Sequence, residues 1–122
     1  MTTLDPALAS EQYGYLTTTG RTSGEPREIE IWFALEGSVV YVMSGGRDQS
    51  HWVRNLLAEP RVSMRIGETT FTAVARLVEA ETDEDALVRR LLLAKYAPGH
   101  EGDLSEWGRR SLPVAIEVEL VG

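Results

Sequence analysis

Residues 27–35 alternate with a period of two, and this constrains the fold more than any other stretch of the chain. Ile29, Ile31, Phe33 and Leu35 fall on one face; Glu28, Glu30, Trp32 and Ala34 fall on the other. A helix repeats every 3.6 residues, so the pattern describes a strand with two different environments. Tyr13–Thr19, Ser38–Ser44, Arg61–Ile66, Thr70–Val78 and Pro113–Val121 are likewise rich in β-branched and aromatic residues. Each is bounded by turn or helix-start signals, Glu36-Gly37 and Gly67-Glu68 among them. Six strands, several joined by tight turns, predict an antiparallel sheet able to close into a barrel.

Helical signals lie between these strands. Asp5–Gln12 has an acidic cap and Pro6 at its first position. A helix after Asp48 or Ser50 runs to about Glu59, with Trp52 and Leu56 on its apolar stripe and Pro60 as its stop. Asp83–Tyr96 is the clearest helix, with Leu87, Leu91 and Ala94 at helical spacing and three acids in its first turn. Residues 104–109 form one further turn. The expected class is mainly β with peripheral helices (α+β), as one domain spanning residues 1–122.

A net charge of −7 excludes a general nucleic-acid or anionic-membrane binder, which needs a basic surface. The charge is uneven, however. Between Gly20 and Arg65 there are six arginines and six acids, so this stretch is neutral within an acidic chain. The chain has no cysteine, which removes disulfides, thiolate metal sites and thiol nucleophiles. No apolar run approaches the roughly 20 residues of a membrane span. The first ten residues lack the features of a signal peptide, and a cytoplasmic protein is expected. The two histidines, His51 and His100, lie far apart, which argues against a metal site or a Ser-His-Asp triad.

Two segments carry the residues suited to chemistry. In Gly20-Arg21-Thr22-Ser23-Gly24-Glu25-Pro26-Arg27, arginines flank a glycine loop between strands. Backbone amides, hydroxyls and guanidinium forks in such a loop hold anions. In Ser44-Gly45-Gly46-Arg47-Asp48-Gln49-Ser50-His51-Trp52, small residues at a strand end permit close ligand approach, and a helix follows at once. Either segment also reads as an ordinary connection. Glu28 and Glu30 share a strand face with Trp32; buried, they would suit acid–base work, but such a pair more often forms a solvated face or interfacial ion pairs. Tyr96 and Trp107 bracket the loop before the last strand and suit either a substrate pocket or the core.

Leu16-Thr17-Thr18-Thr19-Gly20-Arg21-Thr22-Ser23-Gly24, with Pro26-Arg27, resembles the opening signature of the deazaflavin-dependent nitroreductase family. Trp52, Asn55-Leu56 and Pro60-Arg61-Val62 resemble its second signature, and Ser111-Leu112-Pro113-Val114 its ending. The resemblance implies a six-stranded antiparallel split β-barrel of the FMN-binding, pyridoxamine-phosphate-oxidase-like type, paired as a homodimer. It implies a deazaflavin cofactor, coenzyme F420, and hydride transfer to a small organic acceptor such as a quinone, enone or nitro compound. It implies that Arg21, Thr22, Ser23 and Arg27 meet the cofactor's phosphate and acidic tail. Ile29, Ile31 and Ser44 would lie along the ring, His51 and Trp52 at the far side of the groove, and Tyr96 near the substrate. The family pattern carries Lys after Gly-Arg and after the strand-end Ser; this chain has Thr22 and Gly45. Arg47 is the candidate replacement for a missing cation. FMN is the alternative cofactor, and a non-catalytic flavin- or haem-binding barrel is the alternative role. No catalytic side chain and no metal are required, because the cofactor carries the redox chemistry.

Overall fold

The computed structural model describes residues 4–121. Strands β1 (Gly14–Thr19), β2 (Pro26–Ile31), β3 (Ala34–Glu36), β4 (Val39–Ser44), β5 (Arg61–Ile66), β6 (Thr69–Leu77) and β7 (Leu112–Val121) form one sheet. All pairings are antiparallel, in the order β2-β1-β5-β6-β7-β4-β3. The outermost strands, β2 and β3, are consecutive in the chain and separated only by Trp32 and Phe33. The sheet's two ends are therefore held together covalently, and the sheet curls into a split barrel.

The sheet has seven strands where the sequence predicts six. The continuous segment 27–35 is divided: β2 pairs with β1, and β3 pairs with β4. Side-chain alternation survives the break, since Phe33 and Ile31 still pack into the barrel interior. Only the hydrogen-bonding partner changes. The following hairpin turns on Gly37 and Ser38, with Gly37 at a φ of 61° that favours glycine. Gly67 has a φ of 60° in the equivalent place between β5 and β6.

Two cores share the sheet. Inside the barrel lie Leu16, Phe33, Val40, Val42, Met64, Ile66, Phe71 and Ile116, all essentially inaccessible to solvent. On the outer face of β3, β4 and β7, residues Ala34, Tyr41, Met43 and Ala115 meet helix α2 (Asp83–Tyr96). That helix buries Val88, Leu92 and Tyr96. The predicted stripe of Leu87, Leu91 and Ala94 is displaced: the two leucines are half-buried and Ala94 is exposed. Both stripes have helical spacing, and the sheet decides which is covered. Helix α1 (His51–Ala58) caps the barrel beside β1, and α3 (Ser105–Arg110) packs on α2. The predicted N-terminal helix is a 3-10 turn, Pro6–Ser10, with Asp5 accepting from the Ala7 amide.

A polar clasp ties α2 to the sheet. Arg76 of β6 forms a two-pronged pair with Glu84, each bond 2.8 Å, and also meets Glu117 of β7. The Tyr41 hydroxyl donates to Glu84 at 2.7 Å. The Arg76 bond, then the Tyr41 bond, lowers the Glu84 carboxyl from 4.5 to about 2. Burial, then Glu84, pushes the Tyr41 phenol up to about 12. A carboxyl lowered on folding stabilises the fold above its unfolded pKa, and that stability is lost as pH falls through the folded value. The thermal midpoint is thus expected to drop between about pH 4.5 and 2, and less steeply in Glu84→Gln. Parallel melting curves of the two proteins across that range test this.

Candidate functional site

The strands β1 and β2 enter and leave a loop, residues 20–25, that lies against α1. Gly20 N–H donates to the Glu25 carbonyl at 2.8 Å, and Gly24 N–H donates to the Gly20 carbonyl at 2.8 Å, which closes the loop tightly. A Cβ on Gly20 would lie 2.7 Å from the Ser23 hydroxyl and 3.1 Å from the Glu25 carbonyl. The backbone can take this path only without a side chain there.

Asn55 fixes the loop to the helix. It lies on the buried face of α1, 4% exposed, one residue before the fully buried Leu56. Its Oδ1 accepts from the Arg21 amide at 3.2 Å and from Arg21 Nη1 at 2.8 Å. Its Nδ2 donates to Thr18 Oγ1 at 3.2 Å. The Arg21 guanidinium also donates to the His51 carbonyl at 3.4 Å and meets His51 Nδ1 at 3.2 Å. Arg27 Nη2 donates to Ser23 Oγ at 3.2 Å. Among the described residues, neither Arg21 nor Arg27 pairs with a carboxylate. Two arginines are thus oriented by neutral partners, with their charges uncompensated.

Both arginines face a groove of about 550 Å³. Its lining combines Gly20, Arg21, Thr22, Ser23 and Arg27 with Ile29 of β2, Thr18 of β1, and His51, Trp52 and Asn55 of α1. Of the residues expected to hold a cofactor, the structure brings Arg21, Thr22, Ser23, Arg27, Ile29, His51 and Trp52 together here. Ile31, Ser44 and Arg47 do not line this groove. Ser44 is 2% exposed; its hydroxyl donates to the Arg47 carbonyl at 2.8 Å and bonds Ser50 Oγ at 2.7 Å. Ser50 occupies the N-cap position of α1 without a side-chain capping bond, because its hydroxyl is used in this way. Arg47, at a φ of 55°, donates to the Arg110 carbonyl.

Thr18 and Asn55 also line the groove, and the sequence motifs do not single them out for it. Asn55 had a usable signal: an amide on the apolar stripe of a short helix must find buried partners.

Tyr96 lies elsewhere, at the end of α2, 4% exposed. Its hydroxyl accepts from the Phe33 amide at 3.0 Å and has two carbonyls within donating distance, Gln12 (2.8 Å) and Phe33 (3.2 Å). Burial raises the pKa of this phenol. Lys95 Nζ donates to the same Phe33 carbonyl at 3.0 Å and sits 3.6 Å from the Phe33 ring centroid. Burial lowers Lys95 to about 8, against a small opposing effect of Glu11. Tyr96 and Lys95 therefore secure the break between β2 and β3. Tyr96→Phe would leave the buried Phe33 amide without its acceptor, and a loss of about 1–3 kcal/mol in urea unfolding is expected.

Trp32 connects this region to the surface. It stacks on Tyr96 at 4.4 Å between ring centroids, 5° from parallel, and meets Trp107 edge-on at 5.3 Å. Trp107 lines a separate recess with Trp32, and Tyr96 does not.

Comparison with known proteins agrees with this architecture. Residues 7–119 match the model of the F420H(2)-dependent quinone reductase family. An F420-H2 dependent reductase, FDR-A, is similar at 28% identity and a TM-score of 0.68, over 88% of this chain and 94% of that one. A protein from Listeria innocua assigned as a pyridoxamine 5'-phosphate oxidase superposes with a TM-score of 0.71 at 19% identity, over 94% and 90% of the two chains. The haem storage protein HutZ from Vibrio cholerae superposes with a TM-score of 0.69 at 17% identity, over 90% and 83%. The last two share the fold, which thus hosts several ligand chemistries. The family match covers almost the whole chain, both sequence signatures and the groove: this protein belongs to the F420H(2)-dependent quinone reductase family.

Proposed function

We propose that the groove beside α1 holds coenzyme F420 and that the protein reduces small planar acceptors of the quinone, enone or nitro type. Family membership makes the protein an oxidoreductase with F420 as its cofactor. The observation that carries the assignment of the site is that two arginines, without carboxylate partners among the described residues, line the same groove as Trp52 and Ile29. A planar ring system with a negatively charged tail needs both features.

The residues present fit that group. Arg21 and Arg27 would meet the acidic tail with charge-assisted hydrogen bonds, aided by the hydroxyls of Thr22 and Ser23. Asn55 holds Arg21 in place, and Ser23 holds Arg27, so little side-chain freedom remains to be lost on binding. Trp52 and Ile29 would shield the ring from water. Trp32 and Trp107, at the far end of β2, would receive a flat acceptor. When bound, reduced F420 supplies a hydride to the acceptor, which also gains a proton. The protein's part is to hold the two partners close and to exclude water.

β2 pairs with a strand on one side only, and the groove lies beside it. A second copy packed there would cover the outer side of the ring, so a homodimer is expected. Sedimentation at micromolar concentration should give the mass of two chains.

Titration of the purified protein with F420 and with FMN, followed by turnover of reduced F420 with a naphthoquinone, tests the reading. Preferential F420 binding with quinone reduction supports it. Tight FMN binding without F420 binding replaces the cofactor, and binding without turnover of any acceptor makes the barrel a carrier.

A further inference from the structure

The second recess, of about 260 Å³, is lined by Tyr13, Glu30, Ile31, Trp32, Met43 and Trp107. Three of these residues, Tyr13, Trp32 and Trp107, are aromatic, although the surface exposed to the recess is more polar than apolar; Tyr13 is 40% exposed. Ile31 follows Ile29 by two residues on the same face of β2. The recess and the cofactor groove are therefore separated by only about 7 Å of strand. One carboxylate, Glu30, belongs to this lining. Its Oε2 accepts from the Tyr15 hydroxyl at 3.0 Å. Among the described residues no cation pairs with it. Arg65 lies over the Tyr15 ring at 4.3 Å and is not part of the recess.

We propose that Glu30 makes this recess select its acceptor by charge, favouring neutral or cationic planar molecules over anionic ones. The inference rests on the assignment of the recess as the acceptor's place. The aromatic walls accept any flat ring, so shape alone does not separate a quinone from its sulfonated analogue. The carboxylate does: an anionic substituent brought within several ångströms of it meets repulsion, while a neutral one does not. Glu30 is exposed, so the discrimination is moderate and falls as salt screens it.

The test compares naphthoquinone with naphthoquinone sulfonate as acceptors for reduced F420, in the wild-type protein and in Glu30→Gln. The two quinones differ in intrinsic reactivity, but that difference cancels when their ratio of kcat/KM is compared between proteins. The ratio is expected to shift toward the sulfonate by about three- to fivefold in Glu30→Gln at low ionic strength. The shift should vanish at high salt, a response that a purely structural role for Glu30 would not give. A second readout needs no turnover. In a Trp52→Phe background only Trp32 and Trp107 remain as indoles, and their quenching reports binding to the recess. The sulfonate should bind several-fold tighter when Glu30→Gln is added. An unchanged ratio and unchanged quenching, with F420 still bound, overturn the role of Glu30 and leave the cofactor reading intact. Failure of the wild-type protein to bind F420 overturns the cofactor reading, and with it this one.

Discussion

Replacing Phe33 with alanine is expected to lower the unfolding free energy by about 3–5 kcal/mol, the range for an aromatic side chain deleted from a packed interior. Phe33 is 0% exposed and among the largest fully buried side chains. It also lies at the junction between β2 and β3, where its amide donates to the Tyr96 hydroxyl and its carbonyl accepts from Tyr96 and Lys95. Its ring supports Lys95 Nζ at 3.6 Å. Truncation therefore opens a cavity in the barrel and removes the surface under a partly desolvated ammonium. For a small domain with a total stability of about 5–15 kcal/mol, this is a large share. Urea unfolding followed by tryptophan fluorescence measures it. A loss below about 1 kcal/mol would mean that the barrel closes around the missing ring.

Arg21→Ala is expected to weaken F420 binding by ten- to a hundredfold, about 1–3 kcal/mol, while leaving the fold intact. The guanidinium is exposed and takes no part in either core. Its loss frees the Asn55 oxygen of one donor, but the Arg21 amide still reaches that oxygen at 3.2 Å, so the helix stays attached to the loop. Arg21→Lys should recover only part of the affinity, since an ammonium cannot meet Asn55 and an anionic tail with the same planar fork. Fluorescence titration of F420 into the three proteins, with FMN as a control, provides the comparison. Equal affinity in wild type and Arg21→Ala would remove the anion site.

These outcomes depend on features that the sequence discloses unevenly. The strands are readable because alternation records which side of a sheet a residue faces. The same signal is blind to hydrogen-bonding partners, so the division of 27–35 into β2 and β3 leaves no trace: Phe33 points inward either way. In α2, Leu87 and Leu91 compete with Val88 and Leu92 for the covered face. Only the position of β3, β4 and β7 resolves that competition. The arginine loop was readable for a different reason, since glycine, hydroxyl and guanidinium groups combine in few structural roles. Ser44 and Arg47 were harder. Their residue types suit a ligand, yet Ser44 is used by Ser50 and the Arg47 carbonyl, and Arg47 by the Arg110 carbonyl. Such local use depends on how the loop folds over itself, which composition does not record. Tyr96 shows the same limit, because its partners Gln12 and Phe33 are 84 and 63 residues away in the chain.

The way α2 grips the Phe33 backbone has a dynamic consequence. Most amides in the barrel are protected by a neighbouring strand, so their exchange with deuterium follows opening of the sheet. The Phe33 amide is covered instead by a hydroxyl at the end of a helix. Its exchange should track undocking of that helix, even at moments when the surrounding ladders stay closed. One backbone proton would thus act as a resident probe of how often the helical flank lifts from the barrel.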